Sequence, residues 1–249
     1  MKPRRAILIL QARVGSTRLP GKSLMPLAGE PLVFRLLERV RRCRAVDGVV
    51  LAIPDTRADD PLEAIAARAG VACFRGSEPD VLDRYQRAAQ EHGAEIVVRL
   101  PADNPVADPA EIDGLVAFHR AHDFAFSTNL SPTLGSDYPD GIGAEAIDAW
   151  ALEEVWRTAM DPARREHPHL NFLHYPSSTL ANPERYRVGV PRCPGEFARP
   201  DLVLDVNTRE QFDYIAALYA ALYPRRPDFG IREIVQWHDE VGYALRKKT

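Results

Sequence analysis

A mostly parallel α/β sheet with helices on both faces is what this sequence predicts, on three observations. Through the first half of the chain, strand-like apolar runs alternate with segments of helical period. The strand runs are nearly continuous in Ile, Leu, Val and Ala, as strands covered on both faces must be. Each polar cluster able to do chemistry follows the end of a predicted strand, where ligands of such sheets sit.

The elements follow in order. Residues 6–10 read as a strand buried on both faces. Residues 31–43 read as a helix with Pro31 in its first turn and Leu32, Leu36, Leu37 and Val40 on one face. The arginines of that helix, Arg35, Arg39, Arg41 and Arg42, are assigned to its solvated side. Residues 48–53 form a strand ended by Pro54-Asp55, residues 61–69 a helix and residues 71–74 a short strand. A helix over 80–92 starts on acidic residues that suit its dipole. A strand over 95–100, a helix over 111–122 and a strand over 123–127 complete the regular half. Beyond it, residues 130–140 are rich in Ser, Pro and Gly and read as a loop. A helix is expected over 144–159, and a proline-rich excursion over 167–200. A strand follows over 201–206, then a helix over 210–222 and a final amphipathic helix over 231–245. The expected organisation is one domain, 1–249, with an elaboration at about 130–200.

Composition sets the outer bounds. The chain has 249 residues, 45% hydrophobic and 27% charged, enough for a sizeable core and ordinary for a globular protein. A formal charge of −3 argues against bulk nucleic-acid binding. Cys43, Cys73 and Cys193 are odd in number and far apart, which fits unpaired thiols in a reducing compartment. No run reaches the ~18 apolar residues of a membrane span, so a cytoplasmic protein without membrane contact is expected.

The most informative residue is Lys22, the only lysine between Lys2 and the terminal pair Lys247 and Lys248 in an arginine-rich chain. It closes the loop Gln11-Ala12-Arg13-Val14-Gly15-Ser16-Thr17-Arg18-Leu19-Pro20-Gly21-Lys22, directly after the first strand. A loop of glycine, hydroxyl and cationic groups at a strand end suits a polyphosphate. Backbone N–H groups point at phosphate oxygens, and a lysine is a compact charge that fits a tight turn. No Gly-x-Gly-x-x-Gly follows the first strand, which excludes a dinucleotide-dependent dehydrogenase.

The loop Ala12-Arg13-x-x-Ser16-Thr17-Arg18-Leu19-Pro20-Gly21-Lys22 resembles the signature of sugar-acid cytidylyltransferases. Gln11 places the likeness nearest the branch named after spore-coat polysaccharide biosynthesis protein F. The resemblance implies a Rossmann-like sheet of the nucleotide-diphospho-sugar transferase kind, joining CTP to a small anionic acceptor, with Mg²⁺ as cofactor and pyrophosphate as the leaving group. It implies that Gln11, Ala12, Arg13, Gly15, Ser16 and Lys22 hold the nucleotide, with Arg13 and Lys22 catalytic, and that Arg18 touches phosphate or braces the loop. Asp103, in Leu100-Pro101-Ala102-Asp103-Asn104-Pro105, inherits a role at the nucleotide and metal, with Ala102 where a glycine is usual. The late segment Asp205-Val206-Asn207-Thr208 stands where relatives carry Val-Asp-Thr, so Asp205 or Asn207 is the second metal ligand, with Asp205 favoured. Arg75 and Gly76 are expected at the base or ribose, and Arg84 in a structural ion pair.

On the acceptor side, Tyr138-Pro139-Asp140-Gly141 with Glu145 resembles the branch's Tyr-Pro-Asp-Gly-Leu-Asp-x-Glu, although Gly143 replaces its second aspartate. His167 and His169 are candidates for the acceptor. The spacing His167-x-His169-x₄-His174 also invites zinc, without nearby cysteines to support it. Candidate acceptors are a sugar acid, a phosphorylated polyol or a phosphonate. GTP or UTP in place of CTP, and a nucleotide-binding regulator without turnover, are the alternatives. Finally, relatives commonly dimerise through an insert matching residues 170–199. The apolar residues Phe172, Leu173, Tyr175, Tyr186 and Val188 are expected to form a two-fold interface there.

Overall fold

A computed structural model describes residues 3–246 of the chain. Strand β1 (Ala6–Gln11) sits in the middle of the sheet with its apolar residues fully buried. Its side chains alternate, as a strand requires: Leu8 and Leu10 enter one core, Ile7 and Ile9 the other. After the first loop come the two-residue strands β2 (Pro26–Leu27) and β3 (Glu30–Pro31), then helix α1 (Leu32–Val40). Strand β4 (Gly48–Pro54), helix α2 (Asp60–Ala69), strand β5 (Ala72–Gly76), helix α3 (Val81–Glu91), strand β6 (Ile96–Pro101) and helix α4 (Pro109–Ala121) continue the predicted alternation. Helices α3 and α4 are capped by Asp80 and Asp108, whose carboxylates accept from Asp83 N and Ala110 N.

The chain then reaches strands β7 (Phe126–Thr128) and β8 (Glu145–Asp148) and helix α5 (Ala149–Thr158). The seven-stranded sheet has the order β11-β7-β8-β6-β1-β4-β5, where β11 is Val188–Gly189. Strands β6, β1, β4 and β5 are parallel, and β8 runs antiparallel to both β6 and β7. The expected helix over 144–159 is therefore a strand followed by a shorter helix. Four residues opening on Glu145 read as a first helical turn, but pairing along β6 holds them extended.

The excursion contains helix α6 (Pro162–Glu166) and the small hairpin of β9 (Leu173–His174) and β10 (Thr179–Leu180) before β11 joins the sheet edge. Its apolar residues do not face outwards. Phe172, Leu173 and Tyr186 are buried in the same core as Ile7 and Ile9, and Tyr175 and Val188 pack against it. The surface expected to form a two-fold interface is thus consumed by the chain's own core.

Residues 201–206 make no sheet strand. They bridge the loop at Asp140, whose N–H donates to the Leu202 carbonyl while its carbonyl accepts from Leu204 N. Helix α7 (Arg209–Leu222) follows with a reciprocal Thr208–Gln211 capping box. The last amphipathic segment is broken into α8 (Ile231–Trp237), a wide turn at His238–Gly242, and α9 (Tyr243–Arg246). A third core lies beneath α7 and α8, centred on Leu204, Val206, Ile215 and Leu218. Arg35 and Arg39 of α1 also depart from expectation: both are buried, because backbone carbonyls take their N–H groups, at the nearby Leu27 for Arg35 and at the distant Ala107 and Phe229 for Arg39.

Candidate active site

The carboxyl ends of β1 and β6 open into a cavity of about 760 Å³. One wall is the loop after β1. It is folded back on itself by Ser16 N and Gly21 N, which both donate to the Val14 carbonyl, and by Leu19 N donating to the Ser16 hydroxyl. Buried Asp59 braces the loop from outside by accepting from Val14 N at 2.8 Å. Sequence reasoning missed this residue, since a carboxylate before a helix reads only as a cap. Gln11, Ala12, Arg13, Ser16, Arg18 and Lys22 all line the cavity; Gly15 does not. Gly21 takes a left-handed conformation (φ 70°), which turns the chain so that Lys22 points inwards, almost fully buried.

The facing wall is acidic. Asp103 follows β6, Asp140 comes from the 130–140 loop, and Asp205 from the segment bridged to it. The two walls meet at Lys22. Its Nζ stands 2.8 Å from the Asp103 carboxylate, donates to the Val206 carbonyl at 2.8 Å, and makes a long bond of 3.4 Å to Asn207 Oδ1. All three ammonium protons thus have partners within the protein. Asn207 Nδ2 in turn donates to Asp205, which also accepts from Gln211 Nε2 at 3.1 Å. The carboxylate and the amide that competed for one role are therefore hydrogen-bonded to each other. Burial pushes the Asp205 carboxyl up to about 6, helped by repulsion from Asp140 and Asp103. Burial also raises the Asp140 carboxyl, against the hydrogen bond from Ser131.

This donor set fits a hard divalent cation. It offers oxygen only, and such a cation relieves what raises these carboxyls: burial at Asp140, burial and then crowding at Asp205. Among the described residues no three His, Cys, Asp or Glu side chains come together as a complete cage. That suits an ion completed by phosphate oxygens and water rather than by protein. It also removes the zinc reading: His174 is exposed and its Nδ1 pairs with the Ser177 hydroxyl at 2.6 Å.

The far end of the cavity holds Glu145, His167 and His169, together with two residues not expected there, Arg99 and Tyr175. Glu145 is fully buried and pairs with Arg99 at 2.6 Å, while the Tyr175 hydroxyl donates to it at 2.8 Å. Arg99 Nε and His169 Nδ1 are buried without hydrogen-bond partners. Burial draws the His169 imidazole down to about 4, so it is neutral at physiological pH. Arg99 escaped the sequence reading because it lies inside an apolar strand rather than at its end.

Three other expectations fail. Arg75 ends β5, the edge strand two places from β1, and its guanidinium is held by Asp55, Asp60 and Glu63, away from the cavity. Neither it nor Gly76 lines the cavity; a Cβ on Gly76 would meet Phe74 at 2.9 Å, a packing requirement. Tyr138 is a core residue whose hydroxyl donates to Glu111 at 2.8 Å. Arg84 makes no ion pair among the described residues; it is fully buried, with one nitrogen donating to the Ser77 carbonyl. The glycine at 143 is also explained by packing. A Cβ there would fall 2.0 Å from Asn129 Oδ1, and Asn129 holds Ala144 N and the Glu111 carbonyl.

Comparison with known proteins agrees with this geometry. The cytidylyltransferase family profile matches residues 7–172, more than half of the chain. The chain is 34% identical over 236 residues to spore coat polysaccharide biosynthesis protein SpsF of Bacillus subtilis, with 92% of each chain covered. It is 38% identical over 115 residues to 3-deoxy-manno-octulosonate cytidylyltransferase of Anaeromyxobacter dehalogenans, covering 45% of this chain and 46% of that one. Its backbone superimposes on a cytidylyltransferase structure from Leptospira borgpetersenii with a TM-score of 0.86 at 24% identity, over 99% of this chain and 98% of the other. With a cationic loop facing an acidic wall at the carboxyl ends of a Rossmann-like sheet, the chain belongs to the cytidylyltransferase family.

Proposed function

We propose that the protein is an Mg²⁺-dependent enzyme that transfers CMP from CTP to a small anionic acceptor and releases pyrophosphate. The observation that carries this reading is the meeting of the cationic loop and the acidic wall at Lys22 and Asp103. A triphosphate laid along Arg13, Ser16, Arg18 and Lys22 has its charge matched on the loop side. On the other side Asp103 and Asp205 would hold the cation, with Asn207 orienting Asp205 through its amide. Mg²⁺ held there would supply positive charge to balance the triphosphate and the departing pyrophosphate.

An acceptor oxygen attacks the α-phosphorus, the bond to the bridging oxygen breaks, and charge builds on the leaving group. Lys22 exchanges Asp103 for a phosphoryl oxygen and stabilises that charge; the rest is positioning. The acceptor lies towards Asp140, Glu145, His167 and His169, where the unpartnered Arg99 Nε and His169 Nδ1 await polar groups. A sugar acid, a phosphorylated polyol or a phosphonate supplies them.

The test is a pyrophosphate-release screen of CTP, UTP, GTP and ATP against several sugar acids and phosphorylated polyols, with and without Mg²⁺. Release with CTP alone, dependent on Mg²⁺ and acceptor, is expected. Asp103→Asn should abolish turnover and Mg²⁺-enhanced CTP binding together. Release with another nucleotide, or full activity in EDTA, overturns the assignment.

A further inference from the structure

A second cavity, of about 380 Å³, lies at the end of α1 away from the first loop, lined by Arg35, Glu38, Arg39, Arg41, Arg42, Tyr219, Tyr223 and Pro227. Four guanidinium groups face it against one carboxylate, and Glu38 is already paired with Arg35 at 2.6 Å. The positive charge is built in rather than scattered on the surface. Arg39 is 2% exposed and has no carboxylate partner among the described residues. Its Nε donates to the Ala107 carbonyl and its Nη2 to the Val106 and Phe229 carbonyls, with the Phe229 ring 4.4 Å beneath. Its remaining nitrogen, Nη1, is buried with no hydrogen-bond partner. A buried cation with no carboxylate in contact is costly, and carbonyl dipoles and the more distant Asp108 offset only part of that cost. Arg41 and Arg42 are exposed at the helix end; Arg42 is steadied by the Pro227 carbonyl at 3.1 Å. Tyr219 and Tyr223 stack with ring centres 5.9 Å apart, and Arg35 lies 4.4 Å over the Tyr223 ring, giving the cavity a rigid wall.

We propose that this cavity is a binding site for a compact phosphorylated anion of about diphosphate size, separate from the CTP pocket. The exposed guanidinium groups of Arg41 and Arg42 match phosphate oxygens bidentately, Arg35 and Arg39 add fixed positive charge behind them, and half the volume of the main cavity suits a ligand smaller than a nucleotide. The site is not isolated from the first. Arg39 grips the carbonyls of Val106 and Ala107, and the Tyr219 hydroxyl donates to the Pro105 carbonyl at 2.7 Å, three consecutive residues of the turn that carries Asp103.

The experiment is a calorimetric titration of the full chain with inorganic pyrophosphate and, separately, with CTP. Arg41→Ala/Arg42→Ala is compared with the unmodified chain; both residues are exposed, so the variant should fold. The double variant should bind one equivalent of pyrophosphate fewer, or bind that equivalent about ten-fold or more weakly. CTP stoichiometry should be equal in the two. Arg41→Lys/Arg42→Lys, which keeps the charge, should retain the equivalent with only a several-fold loss. Identical pyrophosphate isotherms for the alanine variant and the unmodified chain overturn the proposal. So does a difference of one equivalent in CTP, which would make the cavity a nucleotide site.

Discussion

At the scale of single residues, Lys22 combines a structural tie with the charge the proposed mechanism assigns to it. It neutralises Asp103 and ties down the Val206 carbonyl, and the proposed mechanism asks the same charge to serve phosphate. Lys22→Ala is expected to lower kcat by about 10²-fold or more, and steady-state kinetics on folded protein checks it; near-normal turnover would reduce Lys22 to a structural ion pair. Asp205 and Asn207 are expected to differ in kind. Asp205→Asn should cost both turnover and Mg²⁺ response, because it removes a charge. Asn207→Ala should shift kcat less than Asp205→Asn, because it removes only the amide that orients Asp205. Equal losses, or a larger one at Asn207, would return the ligand role to the amide. The thiols should be bystanders. Burial raises Cys43 and Cys193 to about 12 and Cys73 to about 11, so almost no thiolate is present at pH 7. Alkylation at neutral pH should be slow and leave activity unchanged; fast inactivation would contradict this.

At the scale of elements, β6 and β8 are joined by a buried charge pair as well as by their ladder. Arg99 and Glu145 face each other in register, and both are shielded from water. Glu145→Ala leaves the arginine charge stranded and should destabilise the fold by about 3–5 kcal/mol, whereas Arg99→Met/Glu145→Leu should recover most of that. Urea denaturation of the single and double variants decides it; a double variant as unstable as the single would mean the ladder, not the charge, was broken. This pair also marks where the sequence stops being readable. The parallel strands were legible because burial on both faces makes them apolar runs ended by Pro or Gly, as at Pro54 and Pro101. Strand β8 was not, because its Glu145 reads as polar until its partner on β6 is known. The same holds for Arg39, whose acceptors Val106, Ala107 and Phe229 are distant in sequence, so a helix wheel could only place it in solvent. Within the cavity, the first loop and Asp103 were legible from residue type and strand end. Arg75 misled for the same reason: it is at a strand end too, but of the edge strand, where acidic neighbours capture it.

At the scale of the whole molecule, the half-buried imidazole of His169 is expected to contribute an acid limb to stability. Burial holds His169 at about 4, with Arg99, His167 and His174 opposing its charge and Glu145 favouring it. The unfolded chain takes up that proton near the ordinary value of about 6.5. The stability this one group contributes is therefore complete above about pH 6.5 and falls as the pH drops towards 4, by about 3 kcal/mol at most. His169→Gln should flatten this part of the pH–stability curve; parallel curves would assign the acid limb to other groups. A different whole-molecule consequence follows from the ammonium that joins Asp103 and Val206. The family-matched stretch ends at residue 172, yet the carbonyl that fixes Lys22 belongs to residue 206. On the ribosome the first loop emerges early and waits, its cation unanchored, until most of the chain has followed. Anchoring of Lys22 is thereby a property of chain completion. The central parallel strands β1, β4, β5 and β6 are all complete by Pro101, long before the carbonyl that anchors this ammonium is made.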